Sequence, residues 1–340
     1  MTTLTGTPPR VRWTAGLIGL AVLAVCAGLS VAVGARTLPP ADVLQGLAPL
    51  LGGDGTGSPT ESIVRARADR TVIGVLVGVA VALSGAAMQG LTRNPLADPG
   101  LLGVNAGAAL AIVLGIQAGI LGGASGYVWF AMLGGVLAAA VVYGVASLGP
   151  AGPQPLTMTL TGAALTAGVT SVVAGVLVTN DGALEVFRFW QVGSIAGRSV
   201  ELVTGVAPVL LAGLLIVALS GPVLNATALG EDLERALGQR TLLARGVVAL
   251  GAVALAASAV ALAGPIAFVG LVVPHLVRLV TGPDYRRVLL GSALVGPVLV
   301  LATDVLGRVV SPPSEVQVGI MTAVLGAPAL ILLVRRTAMR

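Results

Sequence analysis

Lysine is absent from this 340-residue chain, and histidine and cysteine occur once each. The common phosphate-binding loop needs a lysine, so the chain lacks that means of hydrolysing ATP. The single cysteine, Cys26, excludes an intrachain disulfide. His275 has no second histidine and no acidic or thiol cluster at ligand spacing. The sequence therefore predicts no enzyme, no metal site and no cofactor of its own.

Charged residues are also scarce, at 10% of the chain, whereas 56% of the residues are hydrophobic and the mean hydropathy is +1.00. This composition predicts a membrane protein that crosses the bilayer several times. Glycine occurs 48 times, and small residues let membrane helices approach closely. Gly74 and Gly78, like Gly103 and Gly107, have the spacing of such a crossing. A chain this rich in glycine also contains that spacing by chance.

Ten apolar segments are long enough, or nearly so, to span the bilayer. Their approximate cores are residues 13–33, 71–91, 101–120, 127–148, 157–179, 202–220, 243–263, 265–280, 288–307 and 316–334. The predicted fold class is an all-α polytopic membrane protein with one transmembrane domain, residues 1–340. Two helix pairs, near 70–107 and 245–280, both end in a polar turn that contains proline, which suggests an inverted repeat.

The distribution of arginine indicates the orientation. An even number of spans places both ends on one side, and twelve of the nineteen arginines then fall on the inner segments. This excess predicts that both termini are cytoplasmic, with residues 1–12 as a cytoplasmic tail. The apolar run at 13–33 is expected to be the first membrane helix rather than a cleaved signal.

A polar, helix-breaking sequence follows the second span, Asn94-Pro95-Leu96-Ala97-Asp98-Pro99. Asn, Asp and Pro favour turns, so one interpretation is a tight connecting turn. The other is a gate on a transport path, because irregular polar backbone is tolerated at membrane depth where it lines such a path. Spacing alone leaves both interpretations open.

Residues 225–240, NATALGEDLERALGQR, form a charged connection on the predicted inner side. Asn225 or Thr227 is expected to cap a short helix here, with acidic residues near its positive end and Gly238 closing it. Such a helix suits the docking of a cytoplasmic partner, and a solvated connector is the alternative.

Three arginines lie just outside predicted spans on the outer side: Arg67 and Arg70 before the second span, and Arg308 after the ninth. They either anchor helix ends at the membrane interface or pair with carboxylates of an acidic partner. Asp304 lies within the ninth span, where an acid can relay protons or bind a cation. An ion pair with Arg308, four residues on, is the favoured interpretation.

The order of several motifs resembles that of the FecCD-type (type II) ABC importer permeases, which serve iron–siderophore, haem and cobalamin transport. The resemblance covers about residues 13–336. Its motifs are Arg67-Ala-Asp-Arg70, Ser84-Gly-Ala-Ala-Met-Gln-Gly90, Asn94-Pro-Leu-Ala-Asp-Pro99, Gly103-Val-Asn-Ala-Gly107, Trp190-Gln-Val-Gly-Ser194, Leu229-Gly-Glu231 with Ala236-Leu-Gly238, the run from Gly264 to His275, Asp304 with Arg308, and Val318-Gly through Leu325-Gly-Ala-Pro328.

The resemblance implies a multi-pass permease of a bacterial cytoplasmic membrane that imports a ferric siderophore or related iron chelate by alternating access. It implies a second permease subunit, two ATPase subunits that bind ATP and magnesium in the cytoplasm, and a substrate-binding protein outside. A haem or cobalamin importer is the alternative within the family, and an ion-coupled secondary transporter is the alternative from another class.

The resemblance also assigns residues. Six residues of the 225–240 coupling loop would contact the ATPase, three would form the cytoplasmic gate, and three would dock the binding protein. They are, in that order, Leu229, Gly230, Glu231, Ala236, Leu237 and Gly238; Asn94, Pro95 and Leu96; and Arg67, Arg70 and Arg308.

Three segments depart from the family pattern. Ala68 and Asp69 stand where members usually carry Leu-Pro, and Asp69 is expected to pair locally and weaken docking. Glu315-Val-Gln-Val-Gly319 lacks the proline of the usual Glu-Leu-Pro-x-Gly. In Gly152-Pro-Gln-Pro-Leu-Thr157, prolines partly replace the small hydroxyl residues of a second gate element.

Overall fold

Helices account for all the repetitive structure in this computed structural model, which describes residues 9–34, 36–52, 57–149, 154–229 and 241–338. Thirteen α-helices lie within those ranges. They are α1 (Pro9–Ala32), α2 (Pro40–Leu47), α3 (Pro59–Thr92), α4 (Val104–Gln117), α5 (Ala124–Ser147), α6 (Pro155–Thr179), α7 (Asp181–Gln191), α8 (Glu201–Leu219), α9 (Gly221–Ala228), α10 (Thr241–Ala263), α11 (Val269–Thr281), α12 (Tyr285–Val310) and α13 (Val318–Ala338). Short 3₁₀ helices follow α2 at Ala48–Leu51 and precede α4 at Pro99–Leu102.

Each of the ten predicted spans coincides with one of these helices. Six of them (α3, α5, α6, α8, α10 and α12) are long and apolar enough to cross a bilayer. Shorter apolar stretches in α1, α4, α11 and α13 supply the other four. The prediction of an all-α polytopic membrane fold is therefore confirmed. The shortest of the ten helices are α4, with 14 residues, and α11, with 13.

Asn225 and Thr227, the expected helix caps, both lie inside α9. Asn225 caps the start of α12, since its Oδ1 accepts the backbone N–H of Tyr285 at the first residue of that helix (2.8 Å). The rest of the predicted helix, including Gly238, lies outside the described residues.

Helices α3 and α10 form the centre of the molecule. In the apolar 18-residue stretch of each, 78% and 72% of the stretch is buried. Each is followed by a break at positive φ and then by a short apolar helix. Arg93 and Gly103 have positive φ before α4, and Gly264 and Phe268 before α11. The end of α10 lies beside the segment after α7, where Ser194 N–H donates to the Ala263 carbonyl (2.7 Å). The first half of α3 meets the same segment, since a Cβ on Gly74 would lie 3.1 Å from the Ile195 side chain. The two units thus run in opposite directions, as an inverted repeat requires.

Close helix crossings depend on glycine at two reciprocal contacts. A Cβ on Gly78 of α3 would lie 2.5 Å from the Cα of Pro297, and one on Gly296 would lie 2.3 Å from the Gly78 carbonyl oxygen. In the same way Gly107 of α4 and Gly134 of α5 would each place a Cβ 2.2 or 2.3 Å from the other's carbonyl oxygen. Both of the spaced glycine pairs noted in the sequence therefore contribute a glycine to a real crossing.

Candidate functional site

Polar side chains gather at the two ends of the helix bundle. At the end predicted to face outward, five residues form what we call the outer cluster, made of Arg67, Arg70, Asp304, Arg308 and Glu315. They come from the third and fourth turns of α3, the last turns of α12 and the segment that precedes α13. The cluster brings together the three arginines that the sequence singled out.

Asp304 is the centre of the outer cluster and is fully buried. Its carboxylate accepts from Arg70 Nη2 (2.6 Å) and Nε (3.0 Å) on one side. Arg308 donates to the same carboxylate through Nε (3.1 Å) and Nη2. The predicted ion pair between Asp304 and Arg308 is therefore confirmed. Arg70, which is 234 positions from Asp304 in the sequence, binds the same carboxylate.

Arg67 and Arg308 satisfy the carbonyl groups at the end of α1, which have no partner within that helix. Arg67 Nη1 donates to the carbonyls of Val31 (3.2 Å) and Ala32 (2.9 Å). Arg308 Nη1 donates to those of Ser30 (2.6 Å) and Val33 (2.7 Å). Positive charge at a helix C-terminus also complements the helix dipole.

The guanidinium groups of the predicted docking arginines are thus buried and already paired within the chain. Arg67, Arg70 and Arg308 are only 7%, 9% and 2% exposed. The most accessible part of the cluster is the pair between Arg70 Nη1 and Glu315 (2.6 Å), where the Glu315 side chain is 30% exposed. Asp69 turns toward α8, where its carboxylate accepts the Val200 backbone N–H (3.4 Å).

The proposed gate residues form a tight turn at the end of α3 that is predicted to face the cytoplasm, which we call the gate turn (residues 93–97). Arg93 ends α3 in the left-handed conformation, with φ +54°. Asn94 Oδ1 then accepts the Leu96 N–H (2.9 Å), the hydrogen bond of an Asx turn. Leu96 is 47% exposed, and Pro95 is exposed as well. The predicted turn is therefore present, and its apolar tip is uncovered in the single chain.

Helix α9 contains the first four residues of the coupling loop, residues 225–228. Leu229, the first predicted ATPase contact, is 61% exposed at the end of α9. The other five, Gly230, Glu231, Ala236, Leu237 and Gly238, lie outside the described residues. Of the second gate element, residues 150–153 are also outside them, and α6 begins at Pro155.

Two polar links join α9 to neighbouring helices. Arg93 Nε donates to the Thr227 carbonyl (2.6 Å), which links α9 to the gate turn. Asn225 Nδ2 donates to Asp284 Oδ1 (2.8 Å), just before α12. This hydrogen bond from Asn225 is the main reason why the pKa of the Asp284 carboxyl lies below its ordinary value. Sequence reasoning missed both links, because Asn225 and Asp284 are 59 positions apart in the chain, and Arg93 and Thr227 are 134 apart.

Two further side chains bind α3 to α11 near the gate turn. Gln89 is 1% exposed, and its Nε2 donates to the Gly270 carbonyl (3.0 Å). Its Oε1 accepts from Arg278 Nη2. The Arg278 guanidinium in turn lies 5.6 Å from the centre of the Tyr285 ring. Gln89 lies in a motif that the sequence analysis quoted, but nothing in the sequence indicated these partners.

Comparison with known proteins places the chain among importer permeases. The model of the FecCD transport family matches residues 21–336. The ferric enterobactin transport system permease protein FepD of Escherichia coli (strain K12) is 41% identical over 93% of this chain and 93% of its own length. The Fe(3+)-citrate import system permease protein YfmD of Bacillus subtilis (strain 168) is 37% identical over 94% of each.

A solved structure shares the fold. An inward-facing conformation of a metal-chelate type ABC transporter aligns with a TM-score of 0.81 and 27% identity, over 95% of this chain and 99% of that one. The all-helical architecture, the family match over most of the chain and the relatives above 30% identity agree with one another. This chain belongs to the FecCD transport family.

Proposed function

We propose that this chain is the permease subunit of an ATP-binding-cassette importer that brings a ferric siderophore or related iron chelate into the cytoplasm. The observation that carries the proposal is the family match over residues 21–336, joined to relatives that serve ferric enterobactin and ferric citrate. The chain lacks a phosphate-binding loop, so separate ATPase subunits supply the energy and bind ATP and magnesium. The membrane is the bacterial cytoplasmic membrane, with both termini inside.

A haem or cobalamin cargo is the alternative within the family, since a cobalamin import permease, BtuC of Halobacterium salinarum, is 33% identical over 97% of this chain. An ion-coupled transporter is a weaker alternative. It needs an intramembrane acid open to protons or cations. Asp304 is the acid that the sequence offered for that role, and Arg70 and Arg308 already occupy its carboxylate.

The two ends of the bundle fit the proposed partners. The inner end carries α9, the coupling loop through Leu229 to Gly238, and the gate turn with Asn94, Pro95 and Leu96. The outer end carries the Arg70–Glu315 pair, which an acidic binding protein can approach. In this proposal Arg70 meets the binding protein, while Arg67 and Arg308 support it by holding the end of α1.

A second permease subunit has a suitable surface on α6. Only 11% of its apolar 18-residue stretch is buried within the chain, the lowest share among the six long spans. Its exposed face contains small residues, Ala163, Ala164, Ala167 and Gly168. Small residues in this arrangement are typical of helices that pack closely against a partner in the membrane.

Reconstitution tests the proposed function directly. Proteoliposomes that contain this chain, its ATPase subunits and its binding protein are expected to accumulate a radiolabelled iron chelate only when ATP is present. The chelates to compare are ferric enterobactin, ferric citrate and a ferric hydroxamate, with haem and cobalamin alongside. A catalytically inactive ATPase is the control. Uptake by the permease alone, driven by an ion gradient, would contradict the proposal.

Removing the internal partner of Arg70 tests the docking surface without removing the arginine. Glu315→Gln is expected to tighten binding of the acidic binding protein about 5-fold at low salt, since it removes the negative charge that competes with a partner carboxylate for the Arg70 guanidinium. The gain should shrink as salt rises, because the pair is partly exposed. Glu201→Gln, an exposed acid on the same side, is the control. Equal affinities for both variants and the parent would contradict docking at Arg70.

A further inference from the structure

The proposed function leaves open how movement of the coupling loop reaches the gate. Helix α9 connects them in the structure, because it contains the first four residues of the coupling loop and is hydrogen-bonded to Arg93 of the gate turn through Thr227. Its buried face is well anchored. Leu224 is fully buried, and a Cβ added to Gly90 of α3 would lie 2.9 Å from both Leu224 and the Tyr285 ring. Three helices, α3, α9 and α12, therefore meet here at van der Waals distance.

Apolar packing alone lets helices slide, whereas directional hydrogen bonds fix their register. Three such bonds between described residues hold α9, one to the end of α3 and two to the start of α12. The Arg93–Thr227 bond ties it to α3 at the residue directly before Asn94. The Asn225 side-chain amide forms the other two bonds: its Nδ2 donates to Asp284, and its Oδ1 accepts the Tyr285 N–H. Displacement of α9 must therefore move both the gate turn and the start of α12, or break these bonds.

The links close into a ring. From Asn225 the path runs to Tyr285, whose ring lies beneath the Arg278 guanidinium. Arg278 donates to Gln89 on α3, one helical turn before Arg93. Arg93 returns the path to α9 at Thr227. We call this set of contacts the inner ring.

We propose that Arg93 and Asn225 are positioning residues that transmit movement of α9 to the gate turn and to α12. The inference rests on the proposed function, since it assumes that the ATPase moves the coupling loop. Neither residue contacts cargo in this proposal. Each acts by keeping α9, α3 and α12 in one register, so that nucleotide binding changes the exposure of Leu96.

A thiol at the gate turn provides a readout that needs no cargo. The parent protein carries Leu96→Cys in a Cys26→Ser background and is assembled with its ATPase subunits. ATP is expected to change the rate at which a maleimide labels position 96 by about 5-fold or more, the lower end of usual coupling factors. Arg93→Met is expected to reduce that change to less than about 2-fold while ATP hydrolysis and ATPase assembly persist.

Three variants sharpen the test. Arg93→Lys keeps a donor for the Thr227 carbonyl and is expected to recover part of the response to ATP. Asn225→Ala breaks the other link and should reduce the response in a protein that keeps Arg93. Arg335→Met removes an arginine from the exposed side of α13 and should leave the response unchanged.

The inference is overturned if ATP changes labelling in Arg93→Met and Asn225→Ala as it does in the parent, or if it changes nothing in the parent. Failure of the proposed function gives a different result. A parent complex with ATP-dependent labelling that Arg93→Met abolishes, but with no ATP-driven uptake of any iron chelate, would support the inner ring and refute the assigned cargo.

Discussion

Asp304→Ala is expected to destabilise the protein by about 3–5 kcal/mol, because it leaves two buried cations without their shared carboxylate. Arg70 and Arg308 are 9% and 2% exposed, so water cannot take over from Asp304. The lost carboxylate also frees Arg308 to move away from Ser30 and Val33, which would loosen the end of α1. The damage should therefore spread over α1, α3 and α12.

Thermal unfolding in detergent measures this effect, with an expected fall in melting temperature of roughly 10 °C. Asp181→Ala is the matched control, because Asp181 is an exposed acid in the first turn of α7. Its effect should stay below about 1 kcal/mol, the size of a helix-dipole interaction. Equal melting temperatures for the two variants would show that the outer cluster is not a structural ion pair.

The same residue separates the two classes of transporter. An ion-coupled carrier predicts that Asp304→Asn abolishes uptake while the amount of folded protein and ATPase binding stay normal. The structural role predicts that uptake and folded protein fall together, since asparagine cannot neutralise two guanidinium groups. Measuring folded protein and uptake on the same membranes distinguishes the two outcomes.

Features of the fold could be predicted from the sequence when they depend on residues close together in the chain. The bilayer requires long apolar runs wherever the chain crosses it, so all ten spans were visible as local patterns. The Asp304–Arg308 pair was visible because residues four apart share a helix face. The turn at Asn94 was visible because Asn and Pro have strong local turn preferences.

Contacts between distant residues were not visible in that way. Arg70 and Asp304 are 234 positions apart, and Arg93 and Thr227 are 134 apart. The sequence placed Arg67, Arg70 and Arg308 just outside the spans, whereas all three lie inside helices. It gave no sign that they are buried against the carbonyls of α1 and against Asp304. Asn225 carried a capping signal whose target, α12, lies outside its own segment. A docking role for the arginines stays a prediction, with Arg70 as the residue best placed for it.

Glycine spacing shows the same limit, and it leads to the second prediction of large effect. The spacing marked Gly78 as a candidate crossing, but its partner Gly296 on α12 could be found only in the structure. Gly78→Ala is expected to destabilise the protein by about 3 kcal/mol, because the new methyl group meets backbone atoms that have no rotamer to escape into. The distances are 2.5 Å to Pro297 Cα and 2.6 Å to its nitrogen.

The control for this variant has the opposite expected sign. A Cβ on Gly28 of α1 meets no atom within 4 Å in the chain. Gly28→Ala should therefore stabilise α1 by up to about 1 kcal/mol, since alanine has the higher helix propensity. Melting temperatures of the two variants should move in opposite directions from the parent, and a shift of the same sign in both would refute the glycine contact. Since α3 carries Arg67 and Arg70 of the outer cluster and ends at the gate turn, displacing it from α12 at Gly78 should also weaken ATP-driven uptake.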